Sequence, residues 1–268
     1  MTAMTGQALW LFDLGNTRLK GRWSHARQTG LPVGMDWDSP ELAHELESTL
    51  AGWPEPERVL VASVASGQRA AYLRDALRRW PDARIEWLSS PRRGCGITNA
   101  YRVPARLGID RFLAMAGARA ASGGAPFVIV GCGTALTLDA VDAEGNQQQG
   151  LIAPSPDLMM RSLRAGTAIA DTNPDAFTGP ANEDPDDTGR AIRGGCRDAA
   201  VALIESFHAR HRRLLGAQRL WLHGGGAPAL QAALDAQGAV SARLLDDAVW
   251  RGLEVWASSP SPGAATPA

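Results

Sequence analysis

The order of apolar and polar positions falls into two similar halves. Leu9-Trp10-Leu11-Phe12 is an uninterrupted apolar run that stops at Asp13, turns over Gly15 and Asn16, and resumes as an alternating stretch through Trp23. This reads as a β-hairpin whose first strand is buried on both faces. Residues 127–142 repeat the pattern, with an apolar run, a turn at Gly133 and a resumed strand when Gly133 is laid on Gly15. Behind the first hairpin, Leu42, Leu46 and Leu50 share one face of a helix predicted over 41–50, opened by Ser39-Pro40. A buried parallel strand over 58–64, a helix over 69–80 and a strand over 83–88 follow as a βαβ unit. Residues 91–104 read as loop, and 111–121 as a helix rich in small residues. Behind the second hairpin come a tight turn at 144–146, a stretch over 150–155 that leads into a helix over 156–165, an exposed Pro- and Asp-rich loop over 172–187, and a helix over 191–215. A strand over 219–223 runs into three glycines and a helix from Ala227, and the last helix is expected over 246–256.

The matched order predicts an α/β chain of two related lobes, 7–121 and 125–257, each opening on a hairpin whose turn faces a shared cleft, with a disordered tail over 258–268. Coincidence of two glycine-containing hairpins remains the alternative at this point.

Composition narrows the chemistry. At 268 residues, with 45% hydrophobic and 21% charged residues, the chain is long enough for full cores, and its net charge of -1 gives no electrostatic reason to bind nucleic acid or an anionic membrane. No apolar run approaches the ~20 residues of a membrane span. Cys95, Cys132 and Cys196 are widely spaced, without the pairing of zinc sites or disulfide frameworks, so they read as reduced thiols. The start of the chain lacks the basic region of a signal peptide. A soluble, cytoplasmic protein acting on small molecules is expected.

The turns invite that chemistry. Asp13 closes a buried strand, so its carboxylate needs a partner or carries a heavy desolvation cost. A magnesium ion that keeps its waters is one such partner. Gly15 lets a ligand approach the backbone, while Asn16 and Thr17 set short donors beside backbone N–H groups, together a phosphate cradle. Lys20 is the sole lysine among 27 basic residues, and a compact ammonium suits a phosphate as a point charge. An ordinary hairpin with a capping acid and a snorkelling lysine fits the same residues. Asp110 falls at a helix N-terminus, where a carboxylate is favoured whether it caps or reacts, and neighbouring Arg111 keeps it charged near neutral pH. Gly224, Gly225 and Gly226, between a strand and a helix, allow a nucleotide close to the backbone, or form a plain βα turn.

Several fragments in fixed order resemble the type III pantothenate kinases, which share the acetate-kinase, sugar-kinase, Hsp70 and actin fold of two related, ribonuclease H-like lobes around an ATP cleft. Asp13-Leu14-Gly15-Asn16-Thr17-Arg18-Leu19-Lys20 is similar to the family's first phosphate motif. Tyr101 and Gly108-Ile109-Asp110-Arg111 resemble its pantothenate-binding tyrosine and catalytic segment. Gly133-Thr134-Ala135 resembles the second phosphate motif, Thr188 with Ala191, Ile192 and Gly194 the segment that closes the substrate pocket across a dimer, and His223-Gly224-Gly225-Gly226-Ala227 the adenosine motif.

The resemblance implies phosphorylation of pantothenate by ATP, the first step toward coenzyme A, in a cytoplasmic homodimer. Asp13 would hold magnesium through water. Gly15, Asn16, Thr17, Arg18, Lys20, Gly133 and Thr134 would position the phosphates, with Gly224 and Gly225 at the adenosine. Asp110 would be the base for the pantothenate hydroxyl, for which an ordinary carboxylate pKa of ~4 suffices. Arg111 would pair with the substrate carboxylate, in a pocket with Tyr101, Gly108, Ile109 and Thr188. The family also implies a monovalent cation, potassium or ammonium, associated with an acid whose place is taken here by Gly131. Gly226 stands where an aspartate is usual, and Gly166 where many relatives have a pocket histidine. These departures motivate two other readings: a weak or inactive relative with a regulatory or interaction role, and a kinase for another small hydroxy acid or sugar.

Overall fold

The computed structural model describes residues 8–26, 28–169, 188–238 and 240–259. The loop expected over 172–187 and residues 260–268 of the expected tail lie outside the described residues. Two compact units emerge, one formed by the described residues up to Ala121 and from Ala248 on, the other by Ser122–Asp247.

The first unit contains β1 (Leu9–Leu14), β2 (Arg18–His25), β3 (Gln28–Thr29), β4 (Val33–Asp36), α1 (Leu42–Ala51), β5 (Arg58–Ser63), α2 (Gly67–Leu77), β6 (Arg84–Trp87), the small β7 (Arg93–Gly94) and β8 (Ile97–Thr98) pair, and α3 (Ile109–Ser122). The second contains β9 (Phe127–Cys132), β10 (Ala135–Val141), β11 (Gln147–Pro154), α4 (Pro156–Gly166), α5 (Thr188–Leu215), β12 (Arg219–His223), α6 (Ala227–Gln237) and β13 (Arg243–Leu244). α7 (Ala248–Ser258) ends the described chain.

The sheets have the same order. In the first it is β3-β2-β1-β5-β6, with β4 also on β2; in the second it is β11-β10-β9-β12-β13. β1 is antiparallel to β2 and parallel to β5, as β9 is antiparallel to β10 and parallel to β12. Each hairpin's first strand is therefore central and buried along its whole length. That is why both read as continuous apolar runs.

Each unit has its own core. In the first, Trp10 and Phe12 on β1 meet Leu46 and Leu50 of α1, Val59 and Val61 of β5, and Leu73 and Leu77 of α2. The Trp10 ring meets Trp53 and Trp80 edge-on, and its indole N–H donates to the Pro54 carbonyl at 2.8 Å. In the second, Val128 and Val130 pack with Leu136 and Leu138 of β10, Val201 and Ile204 of α5, and Leu230 and Leu234 of α6.

Three features differ from expectation. β4 has no expected counterpart, because Val33 and Met35 are too few for a periodic signal; backbone pairing with β2 and burial of Met35 hold it. β11 pairs with β10 along its length although its first half, Gln147-Gln148-Gln149-Gly150, carries no apolar pattern, as an outer strand can rely on backbone hydrogen bonds to one neighbour. The last helix was expected inside the 125–257 lobe, yet α7 groups with the first unit. Its Gly252 lies against the Leu113 carbonyl and Gly117 of α3 against the Ala248 carbonyl, so two glycines let the helix backbones touch. Trp256 meets Phe112 edge-on at 6.1 Å, and the Arg58 guanidinium donates to the Ala257 carbonyl at 3.0 Å. These contacts are long-range, and hydrophobic periodicity does not encode which unit a helix joins.

Candidate active site

The site residues of the first unit gather at the C-terminal end of β1. In the β1–β2 ladder Asp13 faces Lys20, whose Nζ lies 3.7 Å from Asp13 Oδ2. Asp13 is buried, and burial pushes its carboxyl above the usual range; Lys20 pulls it down and the negative charge of Asp110 pushes it further up. Asp110, on the first turn of α3, is half-buried. Burial raises it too, against the Arg111 backbone N–H, which donates to Oδ1 at 2.8 Å, and the Arg111 guanidinium. The ordinary carboxylate pKa expected for Asp110 is thus corrected upward, because desolvation outweighs its arginine neighbour. Gly108 explains how the carboxylate fits: a Cβ there would lie 2.5 Å from Asp110 Oδ1.

Buried Asp13, its carboxyl pushed up by burial and by the charge of Asp110 and not brought back by the Lys20 ammonium at 3.7 Å, is a locus for a cation. No group of three or more His, Cys, Asp or Glu suited to an ion occurs among the described residues. Asp13 supplies one carboxylate, the kind of oxygen ligand that suits magnesium held otherwise through water and phosphate oxygens.

Beside this pair, the buried Arg111 guanidinium donates to the Tyr101 hydroxyl at 3.0 Å, with its Cζ 5.9 Å from the ring centroid. Buried Asn99 orders the loop that carries Tyr101. Its amide donates to the Pro91 and Pro104 carbonyls, and its Oδ1 accepts from the Tyr101 N–H at 2.9 Å. Ile109 is buried and contributes packing. The Arg18 Nε lies 3.1 Å from Asp36 Oδ1 and its Nη2 donates to the Gly34 carbonyl, so its side chain is engaged on β4.

The second unit carries the other candidates. Gly133 and Thr134 form the β9–β10 turn, and Ser155, which caps α4 by accepting from the Leu158 N–H, donates to the Thr134 carbonyl at 2.9 Å. Gly224, at φ 94°, passes beside the Cys132 carbonyl, which accepts from the Gly226 N–H at 3.0 Å; Gly225 sits between them at the turn into α6. Thr188 is the first residue of α5.

The two altered positions have a packing explanation. A Cβ at Gly131 would lie 2.7 Å from Thr137 Oγ1 and 2.8 Å from His223 Nε2, so the imidazole fills the space an acid would need. A Cβ at Gly226 would collide with Cys132 Sγ. That thiol is pushed up to about 11, by burial first and then by Asp157, and is inert at neutral pH. His223 opens the adenosine motif and Cys132 immediately precedes the second phosphate motif, but spacing alone could not show that each faces a substituted glycine. Nothing is within 4 Å of a Cβ added at Gly166.

The duplicated sheets define the class, the two-unit α/β fold of sugar kinases and actin-like ATPases. Solved structures agree on the fold. A Campylobacter jejuni chain assigned to the Baf family of transcriptional activators superposes with a TM-score of 0.54 at 15% identity, covering 92% of this chain and 97% of that one. A Sinorhizobium meliloti chain assigned as a 2-dehydro-3-deoxygalactonokinase also reaches 0.54, at 13% identity, with 93% and 98% covered. The sequence profile of type III pantothenate kinase matches residues 9–210. Curated type III pantothenate kinases from Xanthomonas campestris pv. campestris (strain B100) and Xanthomonas axonopodis pv. citri are both 38% identical, over 255 and 258 residues, covering 93% and 94% of this chain and 97% and 98% of theirs. The chain belongs to the type III pantothenate kinase family.

Proposed function

We propose that the protein transfers the γ-phosphoryl group of ATP to the primary hydroxyl of pantothenate, giving 4′-phosphopantothenate for coenzyme A synthesis. Family membership supports the reaction, and the observation that carries the assignment of roles is the Asp13–Lys20–Asp110 constellation. Asp110 accepts the hydroxyl proton: its carboxylate stands at a helix N-terminus, in a niche that Gly108 leaves open. Because the phosphoryl transition state is loose, the base chiefly orients the nucleophile and takes the proton late. A raised pKa makes it a stronger proton acceptor than an ordinary carboxylate. Arg111, steadied by the Tyr101 hydroxyl, pairs with the pantothenate carboxylate.

Lys20 and the backbone N–H groups of the 15–17 turn hold the phosphates, with Gly133 and Thr134 of the second turn as further donors and Gly224 and Gly225 at the adenosine. Magnesium, when bound at Asp13 through water, supplies charge neutralisation of the phosphates. The site belongs to a cytoplasmic homodimer with Thr188 contributed by the neighbouring subunit. Support for an assembly comes from α4, which has no fully buried residue, and from the exposure of nearby Ile152.

Gly131 and Gly226 favour a second reading, a relative with little or no turnover. A coupled assay with ATP, magnesium and pantothenate separates the two. Stoichiometric ADP and phosphopantothenate support the kinase; no turnover at millimolar substrates by folded protein overturns it. Turnover with another hydroxy acid or sugar alone would reassign the acceptor. With Gly131 in place of the acid, the rate should be insensitive to exchange of potassium for sodium.

A further inference from the structure

We propose that Trp37 and Arg69 form a strap that aims the backbone N–H groups of the first turn at the nucleotide phosphates; this rests on the ATP reading above. All three carbonyls of the turn accept hydrogen bonds from outside it. The Trp37 indole N–H donates to the Gly15 carbonyl at 2.8 Å, and the Trp37 backbone N–H to the Thr17 carbonyl at 3.2 Å. Between them, Arg69 Nη1 donates to the Asn16 carbonyl.

The two strap residues also hold each other. The Arg69 guanidinium lies 5.5 Å from the Trp37 ring centroid, and its Nη2 is 3.5 Å from Asp38 Oδ1. Arg69 is based on the first turn of α2, where its own N–H meets the Ser66 cap. Trp37 follows β4 directly and is buried. Two elements that the sequence separates widely thus converge on one three-residue turn.

The consequence follows from peptide geometry. In a trans peptide the N–H of a residue points opposite to the carbonyl of the residue before it. Fixing the carbonyls of Gly15, Asn16 and Thr17 therefore fixes the N–H directions of Asn16, Thr17 and Arg18. Successive N–H groups aimed to one side make an anion-binding concavity, and donors already oriented need no reorganisation when the anion arrives. A glycine-led turn at the end of two strands would otherwise sample several peptide orientations. Trp37 and Arg69 are positioning residues: they face the carbonyl side of the turn, opposite to the N–H groups they aim.

The test is ATP titration by calorimetry, with steady-state kinetics, on the wild type, Trp37→Phe, Arg69→Met and Arg69→Lys. Trp37→Phe keeps the ring and removes the indole donor. Each of Trp37→Phe and Arg69→Met should raise Kd and KM for ATP about fivefold, the loss of one oriented hydrogen bond. The KM for pantothenate and kcat should stay within about twofold, and Arg69→Lys should recover part of the affinity. A purely packing role predicts a lower Tm with unchanged Kd, and that result overturns the strap. Should Trp37→Phe fail to fold, Arg69→Met still decides, since the Arg69 side chain is 30% exposed. A folded wild type that binds no ATP overturns the kinase reading and the strap together; a wild type that binds, with unchanged variants, overturns the strap alone.

Discussion

The two hairpin turns sit at the same place in sheets of the same order, yet they are built for different work. In the first, four residues separate the paired Leu14 and Leu19, and the penultimate residue of the strand before the turn is an acid facing a lysine. In the second, three residues separate Cys132 and Leu136, and the matching position is Gly131, facing Thr137. The first turn spends burial on charge: Asp13 and Asp110 are each raised by desolvation, and Asp13 further by the charge of Asp110, a cost that a folded chain retains when a ligand will offset it. The second turn has no acid at the matching position and fills that space with side chains, His223 against Gly131 and Cys132 against Gly226. The duplication therefore teaches that topology was kept in both units while the reactive acids were kept in one.

The comparison can be broken most severely at Asp110. Asp110→Asn should lower kcat by about 10²–10⁴-fold while ATP affinity, measured by calorimetry, changes little. The reverse operation, placing an acid in the second turn, should cost stability rather than supply function. Gly131→Asp collides with Thr137 and His223 and should lower unfolding stability by about 1–3 kcal/mol in urea titration, without raising the rate. Adding His223→Ala should recover part of that loss, because the two sites share one space.

The pH dependence sharpens the same contrast. Asp110 must be ionised to accept a proton, so the acid limb of kcat/KM should lie above the ~4 of an ordinary carboxylate, with activity lost as pH falls through the raised value. Stability of the ligand-free protein should run the other way. A folded pKa above the unfolded one gives a contribution that is full below ~4 and lost as pH rises through the folded value. Asp13→Asn should accordingly raise the Tm of ligand-free protein at neutral pH by a few degrees, the smallest effect in the series.

Much of this was legible in the sequence. The paired hairpins, the βαβ unit, the helix start at Asp110 and the glycines after β12 were readable because each has a local cause, an apolar run, an acid at a helix start or a turn residue. Asp13, Lys20 and Asp110 were singled out from the residues themselves, and Tyr101 and Arg111 through the family resemblance. What escaped was long-range. Trp37 and Arg69 reach the first turn from β4 and α2, and neither carries a motif of its own. α7 joins the first unit through a glycine contact with α3. The raised pKa of Asp110 depends on burial, which the adjacent Arg111 obscured in the sequence.

The asymmetry itself is tested most directly by measuring kcat and KM for ATP for Asp13→Asn and Thr134→Ala in one assay. The account predicts that Asp13→Asn lowers kcat by at least about a hundredfold. It predicts that Thr134→Ala raises KM for ATP about fivefold and leaves kcat within about threefold of wild type. Equal losses of kcat in the two variants, or near-wild-type turnover by Asp13→Asn, would contradict it.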